Sequence, residues 1–212
     1  MSNYKVTFLL DKSNDWLSEY LEQTKWNRSK YNITISYDFK KVLNQDIVFI
    51  LGYTKILDDN FLCQNKLNLV IHESSLPHGK GFAPLQWQIL EGHNKIPIVL
   101  LEAASNVDTG DIILEDTIIL DGKELYREIR SKQADVTINL IKKFLSIYPV
   151  FSRRKQIGEE SFYSRRNKSD SEIDFKKTIE SQFNLLRICN NEDWPAFFIH
   201  DGIKYYLKIT KE

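Results

Sequence analysis

Apolar residues in this chain come in short runs separated by polar turns. Residues 4–10 form one such run and end in Asp11-Lys12-Ser13-Asn14-Asp15, the pattern of a buried strand followed by a turn. Trp16, Leu17, Tyr20, Leu21 and Thr24 then recur at three- and four-residue steps, which predicts a helix. Residues 33–37 alternate as a strand. Residues 47–51 (IVFIL) are continuously apolar and β-branched, the kind of strand that parallel sheets bury on both faces, and residues 67–72 repeat the pattern. Pro84 suits the first turn of a helix running to about Glu91, with Gly92 as its stop. A strand over 97–101 and an alternating one over 111–120 follow.

Residues 123–147 predict a long helix whose apolar stripe (Leu125, Ile129, Val136, Ile138, Leu140, Ile141, Phe144, Leu145) would pack a core or a dimer face. Residues 151–170 are polar, charged and serine-rich, like a linker. Residues 175–188 read as a helix, and 194–209 as a hairpin around Asp201-Gly202. The expected fold is α/β: a mostly parallel, doubly wound, Rossmann-like open sheet over residues 1–150, with a small α+β extension over 151–212.

Composition narrows the function. A hydrophobic fraction of 42% with 12% aromatics supports a packed core. Lys plus Arg equals Asp plus Glu at 29 each, which argues against a nucleic-acid-binding scaffold. Local basic character remains at Arg153, Arg154 and Lys155, and at Arg165, Arg166 and Lys168. Cys63 and Cys189 show no paired spacing, so neither a disulfide framework nor a metal site is expected. The apolar part of the amino terminus is too short for a signal peptide, and no run approaches the ~20 residues of a membrane span. A reduced cytoplasmic setting is the expectation.

Two polar groups stand where open α/β sheets build their sites. One apolar run delivers His72 onto a Ser-Ser-Leu-Pro turn, and a later one delivers Asp108 onto a Thr-Gly turn. Imidazole and carboxylate together suggest proton transfer to or from a bound substrate. No glycine-rich phosphate loop follows the first strand, which disfavours nucleotide binding of that type.

Around these residues, His72, Ser74, Leu76 and Pro77 resemble the HxSxLP segment of the 10-formyltetrahydrofolate-dependent formyltransferases. That family includes glycinamide ribonucleotide, methionyl-tRNA and amino-sugar N-formyltransferases. Gly81 to Pro84 with Gln88, Ile89 and Leu90 is similar to the family's loop and helix. Val107-Asp108-Thr109-Gly110-Asp111 resembles its DxGD segment, and Gly52 to Leu57 its pterin-contacting segment. Tyr163 to Arg166 followed by Asp170 to Asp174 is similar to the tail after the core in tRNA- and sugar-directed members.

The resemblance implies that an amine attacks the formyl carbon of 10-formyltetrahydrofolate. His72 would assist the oxyanion or shuttle a proton, and Asp108 would orient the imidazole or relay the proton. It implies folate contacts from Tyr53, Thr54, Lys55 and Ile56 and from Glu102, Ala103, Ala104, Ser105, Asn106 and Val107, many through backbone groups. Ser74 and Lys80 are candidate substrate contacts. The family usually carries Asn two residues before the histidine, where this chain has Val70. Asn68, Ser74, Gln88 and Asn106 are the candidate replacement donors. The implied acceptor is an amino sugar, nucleotide-linked, with no nucleic-acid or membrane partner. The aromatic tail (Phe197, Phe198, Tyr205, Tyr206) suggests a homodimer. A formyltetrahydrofolate hydrolase and a non-catalytic folate- or sugar-binding relative are the alternatives.

Overall fold

The computed structural model describes residues 3–212. Its elements in chain order are β1 (Tyr4–Leu10), α1 (Ser18–Gln23), β2 (Tyr31–Ser36), β3 (Ile47–Leu51), α2 (Asp59–Cys63), β4 (Asn68–His72), β5 (Lys80–Gly81), α3 (Pro84–Leu90), β6 (Lys95–Glu102), β7 (Ile112–Ile119), α4 (Tyr126–Ile147), β8 (Phe162–Tyr163), α5 (Phe183–Ile188), β9 (Ala196–His200) and β10 (Ile203–Leu207). Six strands form one sheet in the order β2-β1-β3-β4-β6-β7. The pairs β1·β2, β1·β3 and β3·β4 are parallel, while β4·β6 and β6·β7 are antiparallel. The sheet is therefore mixed and mostly parallel, as the unbroken β-branched runs of β3 and β4 require.

Strand periodicity sorts the side chains to two faces. Val6, Phe8, Phe49, Leu69, Ile71, Ile98 and Leu100 point to one side, where α1, α3 and α4 cover them with Leu21, Leu85, Ile89, Ile141 and Phe144. Val48 and Ile50 point to the other side and pack on Phe61 of α2. Helices on both faces make the sheet doubly wound. Within β4, Leu69 and Ile71 take the α4 side, so Val70 and His72 share the opposite face. The stripe of α4 is core: Ile129, Ile138, Leu140, Ile141, Phe144 and Leu145 are all buried.

Two readings need correction. The helix expected over 175–188 shrinks to α5, preceded by a short 3-10 turn, Glu180–Gln182. Asp174 accepts from the Lys176 amide, and the Gln182 side chain returns to Asp174 N and O, so local side-chain bonds outcompete the helix ladder there. The polar stretch after residue 150 is not a loose spacer. It runs back across the sheet's carboxyl end as a strap: Arg154 bridges to Ile112, and β8 pairs in parallel with β5. The hairpin β9–β10 turns on Asp201 and Gly202 at φ 48° and 77°, as its sequence signal requires. No helix among the described residues is long and apolar enough to cross a membrane.

Candidate active site

His72, the last residue of β4, lies opposite Val99 of β6. Strand β6 runs antiparallel and ends at Glu102 opposite Leu69, and the turn between β6 and β7 then carries Asp108 back to the imidazole. His72 is 5% exposed. Its Nδ1 lies 3.5 Å from Asp108 Oδ2, and its Nε2 lies 2.8 Å from Gly79 O. A carbonyl oxygen can only accept, so Nε2 carries a proton. Nδ1 is then the ring nitrogen that faces the carboxylate. Asp108 Oδ2 also accepts from Gly81 N at 2.9 Å. The loop that follows His72 thus returns to hold the carboxylate that the imidazole needs.

A cavity of about 820 Å³ opens beside this pair, lined by His72, Val70, Asp108, Phe82 and Leu101 among others. Tyr53, Thr54, Lys55 and Ile56 line it on one side, and Glu102, Ala103, Ala104, Ser105 and Val107 on another. Asn106 is exposed and off the lining. Ile50, Leu62, Val70 and Leu101 give the cavity apolar walls. This mixture of apolar wall and loop backbone fits a flat heteroaromatic ring whose edge hydrogen-bonds to main chain.

The Tyr53–Ile56 loop is fixed from β1. Asp11 accepts from the Thr54 hydroxyl and from Ser13 N and Oγ. Burial pushes the Asp11 carboxyl up, but these hydrogen bonds outweigh it and hold the group at about 2. Asn14 Nδ2 donates to Gly52 O at 2.9 Å, and Gly52 has a φ of 61°, which a side-chain-bearing residue rarely adopts. Both contacts were hidden in the Asp-Lys-Ser-Asn turn, which the sequence offered only as the absence of a phosphate loop.

Ser74 and Lys80, expected against substrate, are not brought to the cavity wall. Ser74 is buried with no hydrogen-bond partner for its hydroxyl. Lys80 is 1% exposed and ion-paired with Glu160 of the strap, its ammonium over the Phe162 ring. The strap that covers this loop lysine lies 80 residues further on, so no nearby residue signals that its charge is already paired.

The four candidate substitutes for the missing asparagine also fall elsewhere. Asn68 Nδ2 donates to Leu62 O, and Gln88 Nε2 to Glu73 O and Pro84 O. Ser74 and Asn106 do not line the cavity. Trp87 of α3 is half-buried and stacks at 10° on Tyr163 of the strap. Among the described residues, no group of three or more His, Cys, Asp or Glu is placed to hold a metal ion.

An open α/β sheet with a buried imidazole–carboxylate pair at its strand ends, beside a cavity of this size, defines a group-transfer or hydrolytic type of site. The chain belongs to the formyl transferase family, whose model matches residues 5–145.

A methionyl-tRNA formyltransferase of Clostridioides difficile is 29% identical over 74% of this chain and 52% of its own length. The chain thus spans about half the length of such curated relatives. Among solved structures, a methionyl-tRNA formyltransferase from Clostridium thermocellum superposes with a TM-score of 0.81 at 24% identity, covering 100% of this chain and 94% of that one. A 4-N formyltransferase from Francisella tularensis gives 0.70 at 18% identity, covering 99% and 98%. HypX from Aquifex aeolicus, in complex with tetrahydrofolic acid, gives 0.69 at 14% identity, covering 98% of this chain and 38% of that one. These likenesses concern the fold.

Proposed function

We propose that this protein transfers a formyl group from 10-formyltetrahydrofolate to the amine of a nucleotide-linked amino sugar, in the cytoplasm. The observation that carries the reading is the His72–Asp108 pair beside the 820 Å³ cavity. When bound, the folate would supply an N-formyl carbon open to attack by an amine. Tyr53 to Ile56 and Glu102 to Ser105 would hold its ring system, mainly through main-chain groups. The His72–Asp108 pair would take the proton that the amine loses as it bonds to the formyl carbon, and return it to N10 of the folate as the formyl carbon–N10 bond breaks. General acid–base help of this kind contributes roughly 10²- to 10⁴-fold. Val70, Phe82 and Leu101 would keep water from the reacting centre.

Two features favour an anionic acceptor. Arg165 and Arg166 both line the cavity, and neither meets a carboxylate among the described residues. Arg165 donates to Thr54 O and Arg166 to Asp170 O, at 2.9 Å each. Guanidiniums without carboxylate partners suit the phosphates of a sugar nucleotide. A second reading, methionyl-tRNA as acceptor, is favoured by the curated relatives that match the chain.

The test is to incubate purified protein with 10-formyltetrahydrofolate and follow tetrahydrofolate formation. Reactions would contain a panel of nucleotide-linked amino sugars, initiator methionyl-tRNA, or no amine. The reading expects turnover that requires an amino sugar. Turnover only with tRNA would move the acceptor to tRNA, and turnover without any amine would make the protein a hydrolase. Binding without turnover would make it an inert relative.

A further inference from the structure

Asp108 stands on a backbone that has to be held in place. Its φ of 55° lies in the left-handed region, sparsely used by residues with a side chain. Behind it the turn is pressed against β6: a Cβ at Gly110 would fall 1.6 Å from Glu102 O. Two carbonyls of this turn are met from far along the chain. Gln156 Nε2 donates to Asp108 O at 2.7 Å and to Gly110 O at 2.9 Å. One side-chain amide thus ties both ends of the segment that carries the carboxylate.

The approach of Gln156 is itself fixed. Two residues earlier, Arg154 exchanges backbone hydrogen bonds with Ile112, at 2.8 Å in both directions. Gln156 Oε1 is buried and finds no donor. A position chosen only for packing would favour an apolar side chain there, which would leave no such orphan. What the place demands is a forked donor.

On its other side Asp108 makes the contacts that matter for proton transfer: Oδ2 accepts from Gly81 N and faces His72 Nδ1. A small rotation of the turn would carry the carboxylate away from both.

We propose that Gln156 is a positioning residue, which pins the 108–110 turn so that the Asp108 carboxylate stays against His72 and the Gly81 amide. The inference rests on the assignment of His72 and Asp108 to formyl transfer.

Gln156→Met keeps the side-chain length and removes the donor; Gln156→Ala is read in parallel. The readout is hydrogen exchange at three neighbouring amides, measured by NMR. Gly81 donates to Asp108, whereas Lys80 and Phe82 donate to the strap carbonyls of Ser161 and Tyr163. The proposal expects Gly81 to exchange at least about tenfold faster while Lys80 and Phe82 keep their protection. It also expects kcat to fall at least about tenfold, with KM for 10-formyltetrahydrofolate within about twofold.

Unchanged protection at Gly81 would overturn it. So would joint loss at all three amides, which would make Gln156 a mere tether of the strap, and so would loss of folding in both variants. A wild-type protein without turnover would remove the formyl-transfer reading, whereas the exchange pattern would still report on the clamp.

Discussion

At the scale of single residues, the site is defined by one contact made and one donor absent. Nε2 of His72 is occupied by Gly79 O, so the remaining ring nitrogen is Nδ1, and Asp108 is the group it faces. Val70 shares the face of β4 with His72 and brings no polar atom to the cavity. None of the side chains that could have replaced an asparagine there does so. Val70→Asn is therefore expected to raise kcat, by up to the roughly 10²-fold that a single oxyanion donor can be worth. Steady-state kinetics of the variant checks this, and an unchanged or lower kcat would show that the oxyanion already has its donor.

That His72, Asp108 and the 53–56 and 102–105 loops meet at one cavity was legible in the sequence because each sits at or just past the end of an apolar run, where strand ends are easy to count. Lys80, Ser74 and Gln156 were not. The strap of residues 154–166 covers Lys80 and carries Gln156, and no local spacing encodes its approach.

At the scale of elements, strands were read well because burial on both faces leaves continuous runs and burial on one face leaves alternation. The failure over 175–188 came from polar side chains, Asp174 and Gln182, that satisfy the backbone themselves and end the helical ladder. The carboxy-terminal segment also has an anchor that composition could not suggest. Arg187 of α5 is 1% exposed and reaches Glu124 Oε2 at 3.3 Å and Asn94 Oδ1 at 2.7 Å. Arg187→Ala would leave Glu124 with one cation fewer in a buried place. The expected cost is about 3 kcal/mol, toward the lower end for a broken buried pair because Lys132 and two backbone amides still serve the carboxylate.

Burial pushes the Glu124 carboxyl up, yet Lys132 and the backbone around Asp121 hold it at about 2. A depressed folded-state value means stability that is present above the usual 4.5 and lost as pH falls toward 2. Thermal melts of Glu124→Gln should therefore differ most from wild type near neutral pH and converge with it as pH falls from about 4.5 toward 2. A gap that widens on acidification would contradict the assignment.

At the scale of the molecule, the sheet's order creates the site. Parallel strands β1, β3 and β4 aim their carboxyl ends at one rim. Strand β6 runs antiparallel to β4 and ends opposite Leu69, and the turn that follows it carries Asp108 back to His72 at that rim. The strap then crosses the rim, pairing β8 with β5 and setting Arg165 against the Thr54 loop. Its residues lie outside the stretch matched by the family model, which ends at residue 145. The matched part of the chain thus builds most of the cavity wall, and the strap adds Arg165 and Arg166 to it.

The most direct test of the account is the single-turnover rate of formyl transfer at saturating 10-formyltetrahydrofolate and amino sugar, compared between wild type, His72→Ala and Asp108→Asn. Both variants are predicted to fall by roughly 10²- to 10⁴-fold while remaining folded. A wild-type-like rate in either folded variant would contradict the central claim that this imidazole and this carboxylate carry the proton transfer.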